Sequence, residues 1–167
     1  KAEKVEAGGV RIKTPGGNSG PVATDWDGDG KFDLVVGCGD GSVLFFRNPA
    51  GKGEPVFAKG ETLVPISHSW AARDPNVKEG SPSGYRAKLA VVDWNGDGHL
   101  DVLLNGTNAE LHEGRPGPAD SHVLTNRGPI AARDISKHST SPTVVDWNRD
   151  GVLDAVVGAE DGYLYYL

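Results

Sequence analysis

The sequence predicts an all-β protein assembled from a repeated small sheet, and three observations carry that expectation. An acidic nonapeptide of fixed spacing occurs three times, beginning at Asp25, Asp93 and Asp146. Each copy stands between two short runs rich in Val, Leu or Phe and bounded by glycine or a turn, as buried strands do. Gly 24 and Pro 11 in 167 residues are high for a helical protein and fit many short strands joined by turns. A single domain of this length can bury a genuine core.

The elements follow in order. Val10 and Ile12 among polar neighbours predict one weak strand near 9–14, closed by the turn residues Pro15-Gly16-Gly17-Asn18. The first unit, about 21–64, begins with Pro21-Val22-Ala23-Thr24, passes through the acidic loop, and leaves it as Asp33-Leu34-Val35-Val36. Gly39-Asp40-Gly41 makes a hairpin turn to Val43-Leu44-Phe45-Phe46, and a fourth strand is expected within 55–64. The second unit, about 88–126, repeats this with Leu89-Ala90-Val91-Val92, Val102-Leu103-Leu104, Ala109-Glu110-Leu111-His112 and His122-Val123-Leu124. The third, about 142–167, has Thr143-Val144-Val145, Ala155-Val156-Val157, an Asp161-Gly162 turn and Tyr163-Leu164-Tyr165-Tyr166. The longer spacing between the first two loops predicts an insertion over 67–86, and Gly114 to Pro118 reads as a smaller one.

The nonapeptides place oxygen donors at positions 1, 3, 5 and 9, with glycine at position 6. Alternate carboxylates aim oxygens inward, and the glycine turns the chain so that position 7 can offer its carbonyl. Calcium accepts about six to eight such ligands at roughly 2.3–2.6 Å and tolerates irregular geometry. EF-hand and dockerin loops share the opening, but they need a further ligand at position 12 and flanking helices. Position 12 here is Val36, Leu104 or Val157, each within a β-type run. The three loop tryptophans, Trp26, Trp94 and Trp147, read as packing residues that recur with the repeat.

Charge supports the metal reading. The loops contain four, three and three aspartates, and the remaining acids are outnumbered by 17 Lys and Arg. Three dications would neutralise the formal charge of −6. No basic stripe with interleaved aromatics appears, so nucleic acid is not an expected partner. Cys38 stands alone, which excludes an intrachain disulfide, and no apolar run approaches the length of a membrane helix. Without Met or a leader, and ending inside a unit, the chain reads as a processed form or an excerpt.

The pattern of strand, D-W-[DN]-x-D-G-x-x-D, strand and D-G turn resembles the FG-GAP/VCBS repeat family of calcium-binding propeller blades, integrin α-chain propellers included. The resemblance covers about two-thirds of the chain. It implies four-stranded antiparallel blades around an axis, in a β-propeller of which this chain is part, with calcium between a blade's first two strands. It carries ligand roles to Asp25, Asp27, Asp29 and Asp33, to Asp93, Asn95, Asp97 and Asp101, and to Asp146, Asn148, Asp150 and Asp154. Lys31, His99 and Val152 would each give a carbonyl, making three Ca2+ sites. Arg149 departs from the glycine of the other two loops; it is expected to point outward and to weaken its site. Counting carboxylates ranks the first site tightest and the third weakest.

These features imply a secreted or cell-surface binding module rather than an enzyme, with calcium as a structural element. A glycan or an extracellular protein is the expected partner. In the insertion, Trp70 with His68 and Arg73 forms the candidate ligand surface. A polysaccharide lyase or hydrolase is the rival class, for which His68, Tyr85, Arg86, His112 and His122 are candidates, and a structural spacer is the third. His68, His112, His122 and His138 otherwise read as polar residues of connecting segments. No nucleophile elbow, phosphate-cradling loop or zinc spacing is present. Three blades alone would leave two sheet faces open, so the ring is expected to close with the remainder of a longer chain, by self-association, or with the 9–14 strand completing the last blade.

Overall fold

The computed structural model describes residues 3–50, 53–66, 86–106, 108–117, 122–132, 134–135 and 140–167. Among these, the regular elements are strands, arranged as two four-stranded antiparallel sheets, one three-stranded sheet and a short hairpin.

The first sheet runs β3 (Gly20–Thr24), β4 (Asp33–Gly37), β5 (Val43–Phe46) and β6 (Glu61–Val64) in sequential order. The second repeats it with β7 (Leu89–Val92), β8 (Asp101–Asn105), β9 (Ala109–Pro116) and β10 (His122–Pro129). The third contains β11 (Thr140–Val145), β12 (Asp154–Ala159) and β13 (Leu164–Tyr166). Their registers are equivalent. Thr24 pairs with Asp33, Val92 with Asp101, and Val145 with Asp154, so the last aspartate of every acidic loop opens the second strand of its sheet.

Because side chains alternate along a strand, each sheet has two apolar faces, and the cores lie between sheets. Trp26, Val35, Val43 and Phe45 of the first sheet pack on Val102, Leu104 and Ala87, with Leu89, Val91 and Leu124 at the margin. Trp94, Leu103, Ala109 and Leu111, the same positions one unit on, pack on Ala155 and Val157, with Val144 and Tyr165 beside them. Close backbone approach pins these stacks. A Cβ on Gly37 would stand 2.1 Å from the Ala87 carbonyl oxygen, so only glycine fits there. The Ala87 amide donates to the Cys38 carbonyl at 2.8 Å, and the Thr140 hydroxyl donates to the Asn108 carbonyl at 2.7 Å, tying successive sheets together.

The two ends of the stack differ. Behind the first sheet, Val36 and Phe46 are covered by Ala7, Ile12 and Phe57. The covering hairpin is β1 (Glu6–Ala7) with β2 (Val10–Arg11), and Ala7 bridges Phe57. The 9–14 segment therefore does not complete the last sheet, as its sequence position suggested. Its Ile12 and the hairpin's Ala7 find the nearer apolar face. On the third sheet, Trp147, Leu164 and Tyr166 are 68%, 77% and 55% exposed. They occupy the positions that Trp26, Val43 and Phe45 fill when covered.

Two further expectations change. His112 lies inside β9, not in a connecting segment, and is fully buried beside the equally buried Glu110. Residues 114–116, read as an insertion, finish β9, whose length lets it pair with β10 from His122 to Pro129. Gly114 is there because a Cβ would meet the Leu100 carbonyl oxygen at 2.1 Å.

Candidate metal centre

Each acidic loop is a chain of side-chain-to-backbone turns. In the first, the Gly30 amide donates to Asp25 Oδ2 at 2.9 Å, Asp29 to Asp27 Oδ1 at 3.3 Å, and Lys31 to Asp29 Oδ1 at 3.0 Å. In the second, Gly98 donates to Asp93 Oδ2 at 2.9 Å and His99 to Asp97 Oδ1 at 2.9 Å. The third matches it, with Gly151 on Asp146 Oδ2 at 3.0 Å and Val152 on Asp150 Oδ1 at 2.8 Å. Short polar side chains accept such bonds readily, which is why Asp and Asn hold a tight loop. Positions 4 and 6 take left-handed backbone in every loop. Gly28 and Gly30, Gly96 and Gly98 do so freely, whereas Arg149 adopts φ 60° with a side chain attached.

The ninth residue plays a different part. Asp33 is buried; one oxygen accepts the Trp26 amide at 3.2 Å and the other the Asn48 amide at 2.7 Å. Asp101 does the same with Trp94 at 2.9 Å and Gly114 at 2.7 Å. Asp154 takes the Trp147 amide at 2.8 Å and the Tyr166 hydroxyl at 2.7 Å. These carboxylates clamp the loop to the sheet while facing it. Burial raises the Asp33 carboxyl above its ordinary value, with repulsion from Asp27 and Asp29 adding to the effect and the Asn48 and Trp26 amides opposing it. The Tyr166 hydroxyl, its largest influence, lowers the Asp154 carboxyl.

Asp25, Asp27 and Asp29 each bring an oxygen within 4.8 Å of the others'. The Oδ1 of Asp25 is shielded from solvent and accepts no hydrogen bond, an arrangement that a cation would satisfy. All donors are hard oxygens, so the set fits calcium rather than zinc or copper. In the second and third loops the third-position amide is turned inward. Asn95 Nδ2 donates to Asp97 Oδ2 at 3.2 Å, and Asn148 Nδ2 to Asp150 Oδ2 at 2.9 Å. Their Oδ1 atoms accept the Asp97 and Asp150 amides, both at 2.9 Å. The structure thus brings the carboxylates at positions 1, 3 and 5 together in the first loop, while in the other two loops these positions are linked by hydrogen bonds. In all three the position-9 carboxylate accepts the amide of position 2.

Sequence reasoning missed the cations around the first loop. The Arg47 guanidinium stands 2.6 Å from Asp27 Oδ2, and Lys31 pairs with Asp29, lowering that carboxyl below its ordinary value. Arg47 also borders a groove of about 830 Å³ between the first and second loops, which Trp26, Glu61, His99 and His122 share. His122 is half-buried, with its ring edge-on to Trp26 and Phe45 at 5.5 and 5.8 Å. Desolvation lowers its pKa, so it stands neutral near pH 7. His68, Trp70 and Arg73, like Tyr85 and His138, lie outside the described residues.

Fold and loops together define a tandem β-sheet repeat protein with one acidic loop at the head of each sheet. Residues 25–104 match the family model described as FG-GAP-like repeat. The match begins after β3 and takes in the first loop, β4 to β7, the second loop and β8 as far as Leu104. The third loop lies beyond it but carries the second loop's hydrogen-bond pattern. No curated protein and no solved structure matches the chain.

Proposed function

We propose that this chain is a calcium-stabilised segment of a β-propeller, displayed on a cell surface or secreted, that binds a glycan or an extracellular protein and is not an enzyme. The observation that carries the calcium reading is the first loop, where three convergent carboxylates include a buried oxygen without a hydrogen bond. Equivalent turns in the other two loops support three sites. Metal held there would stiffen the connections between strands, and rigid loops make good binding surfaces. The residues at 67–86, with Trp70, His68 and Arg73, would supply the contact surface. The packing of His112 and His122 against strands favours binding over lyase or hydrolase chemistry.

Propeller geometry is supported by the way one face is reused. Trp26 and Trp94 each meet the next sheet, and Trp147 presents the same face outward. That face would take one more sheet, from a longer chain or from a second copy. A glycan array read with calcium and with EGTA, on the wild type and Trp70→Ala, tests the binding reading. Calcium-dependent signal lost in the variant supports it; the absence of any calcium-dependent signal argues for a structural spacer.

A further inference from the structure

Superposing the repeat on itself exposes a charge exchange. The Asn48 amide on Asp33 corresponds to the Gly114 amide on Asp101, so Arg47 corresponds to Glu113. The first unit has Asp27 at the third loop position and Arg47 directly after β5. The second has Asn95 and Glu113. Glu113 is in turn held by Arg127 at 2.6 Å and Arg115 at 3.1 Å. A third-position carboxylate occurs in this chain only where an arginine stands over it.

Resting on the calcium reading above, we propose that Arg47 is a tethered counter-ion of the first loop, one that competes with calcium for Asp27 and sets that site's affinity. The Arg47 guanidinium lies 2.6 Å from Asp27 Oδ2 as an ion pair, while that buried oxygen accepts no hydrogen bond, so a cation bound there would meet a like charge at close range. Like-charge repulsion therefore favours metal entry with Arg47 swung away. The groove gives it room, and Glu61 gives it a second carboxylate. Phe45 pairs with Glu61 across β5 and β6, and Arg47 lies two residues beyond Phe45, on the same face. The loop with most carboxylates thus carries its own brake, and its affinity falls below what its charge predicts. Without metal the same contact relieves repulsion between Asp25, Asp27 and Asp29.

The test is calorimetric titration of the full chain with calcium chloride, the first-loop phase being assigned by its loss in Asp29→Asn. Arg47→Gln should tighten that phase about fivefold, the scale of one partly exposed ion pair. Arg47→Lys should stay near wild type. Glu61→Gln should weaken it in the wild type, and less so when combined with Arg47→Gln. Melting in EGTA gives an independent readout: Arg47→Gln should melt lower than wild type in EGTA and level with it in calcium. An unchanged or weakened first-loop phase in Arg47→Gln would overturn the proposal while leaving the calcium site intact. No first-loop phase in wild type would overturn the calcium reading itself.

Discussion

The Trp94 amide donates to the Asp101 carboxylate across seven residues, closing the second acidic loop at its base. The same bond joins Trp26 to Asp33 and Trp147 to Asp154, so the loop and the strand that follows it are one unit. Asp101 is wholly buried and also accepts the Gly114 amide. Removing it orphans two donors, one from the loop and one from β9. Asp101→Ala should therefore cost about 3 kcal/mol even in chelator, since bonds to a buried charge are the strong ones. Asp97→Ala, at an exposed position, should cost under about 1 kcal/mol there. Urea denaturation in EGTA compares them, and equal losses would remove the distinction between clamp and ligand.

The loop tryptophans share a sequence position and differ in what covers them. Trp26 is 6% exposed and Trp147 is 68% exposed. Trp26→Ala should lose about 3–5 kcal/mol, the usual cost of emptying a large aromatic site. Trp147→Ala should stay within about 0.5 kcal/mol, as surface substitutions do. Similar losses in this chain would mean that the outer face of the third sheet is covered in solution.

Arg149 pays a backbone penalty that its glycine counterparts avoid. Arg149→Gly removes the left-handed strain at φ 60° and should stabilise the protein by about 1 kcal/mol. It also removes a positive charge beside Asp150, so calcium should bind the third loop more tightly. Melting in EGTA isolates the first effect and titration the second. A lower melting point in EGTA would contradict the strain argument.

Cys38 is wholly buried, and burial pushes its thiol up to about 11 from an ordinary 9.0. The folded state therefore favours the neutral thiol. Its contribution to stability is complete below pH 9.0 and is lost as pH rises toward about 11. Iodoacetamide at pH 8 should leave the native protein unmodified and label it only in urea. Rapid labelling of the native protein would show that the connection after β4 opens readily.

The sequence was most readable where structure is local. Acidic loops, hairpin turns and strand faces follow from spacing within a dozen residues, and each unit's strands fall where alternation and glycine place them. His112 misled because its run, Ala109-Glu110-Leu111-His112, looks like a strand reaching its polar end. Burial of the Glu110 and His112 pair depends on β10 and could not be read locally. Arg47 was invisible as a loop residue because it reaches Asp27 only through the pairing of β4 with β5. Aligning the units strand by strand, with Arg47 against Glu113, is the signal that finds it. Trp147 illustrates the opposite limit: its motif is intact, but exposure depends on what lies against the sheet.

Calcium itself gives the most direct test of the account. Each loop gathers carboxylates that repel one another, and each is fastened to buried strands, so repulsion strains the sheet. A cation bound only by the folded state adds about 2.7 kcal/mol per site at a hundredfold excess over its dissociation constant. Three sites would rival the ~5–15 kcal/mol of a whole domain. Magnesium should substitute poorly, because it demands compact octahedral geometry and sheds water reluctantly. The measurement is a thermal melt in EGTA, in millimolar calcium and in millimolar magnesium. The account predicts a melting point more than about ten degrees higher in calcium than in EGTA, with magnesium close to EGTA. Three superimposable curves would show that the loops are ordinary acidic turns and would contradict it.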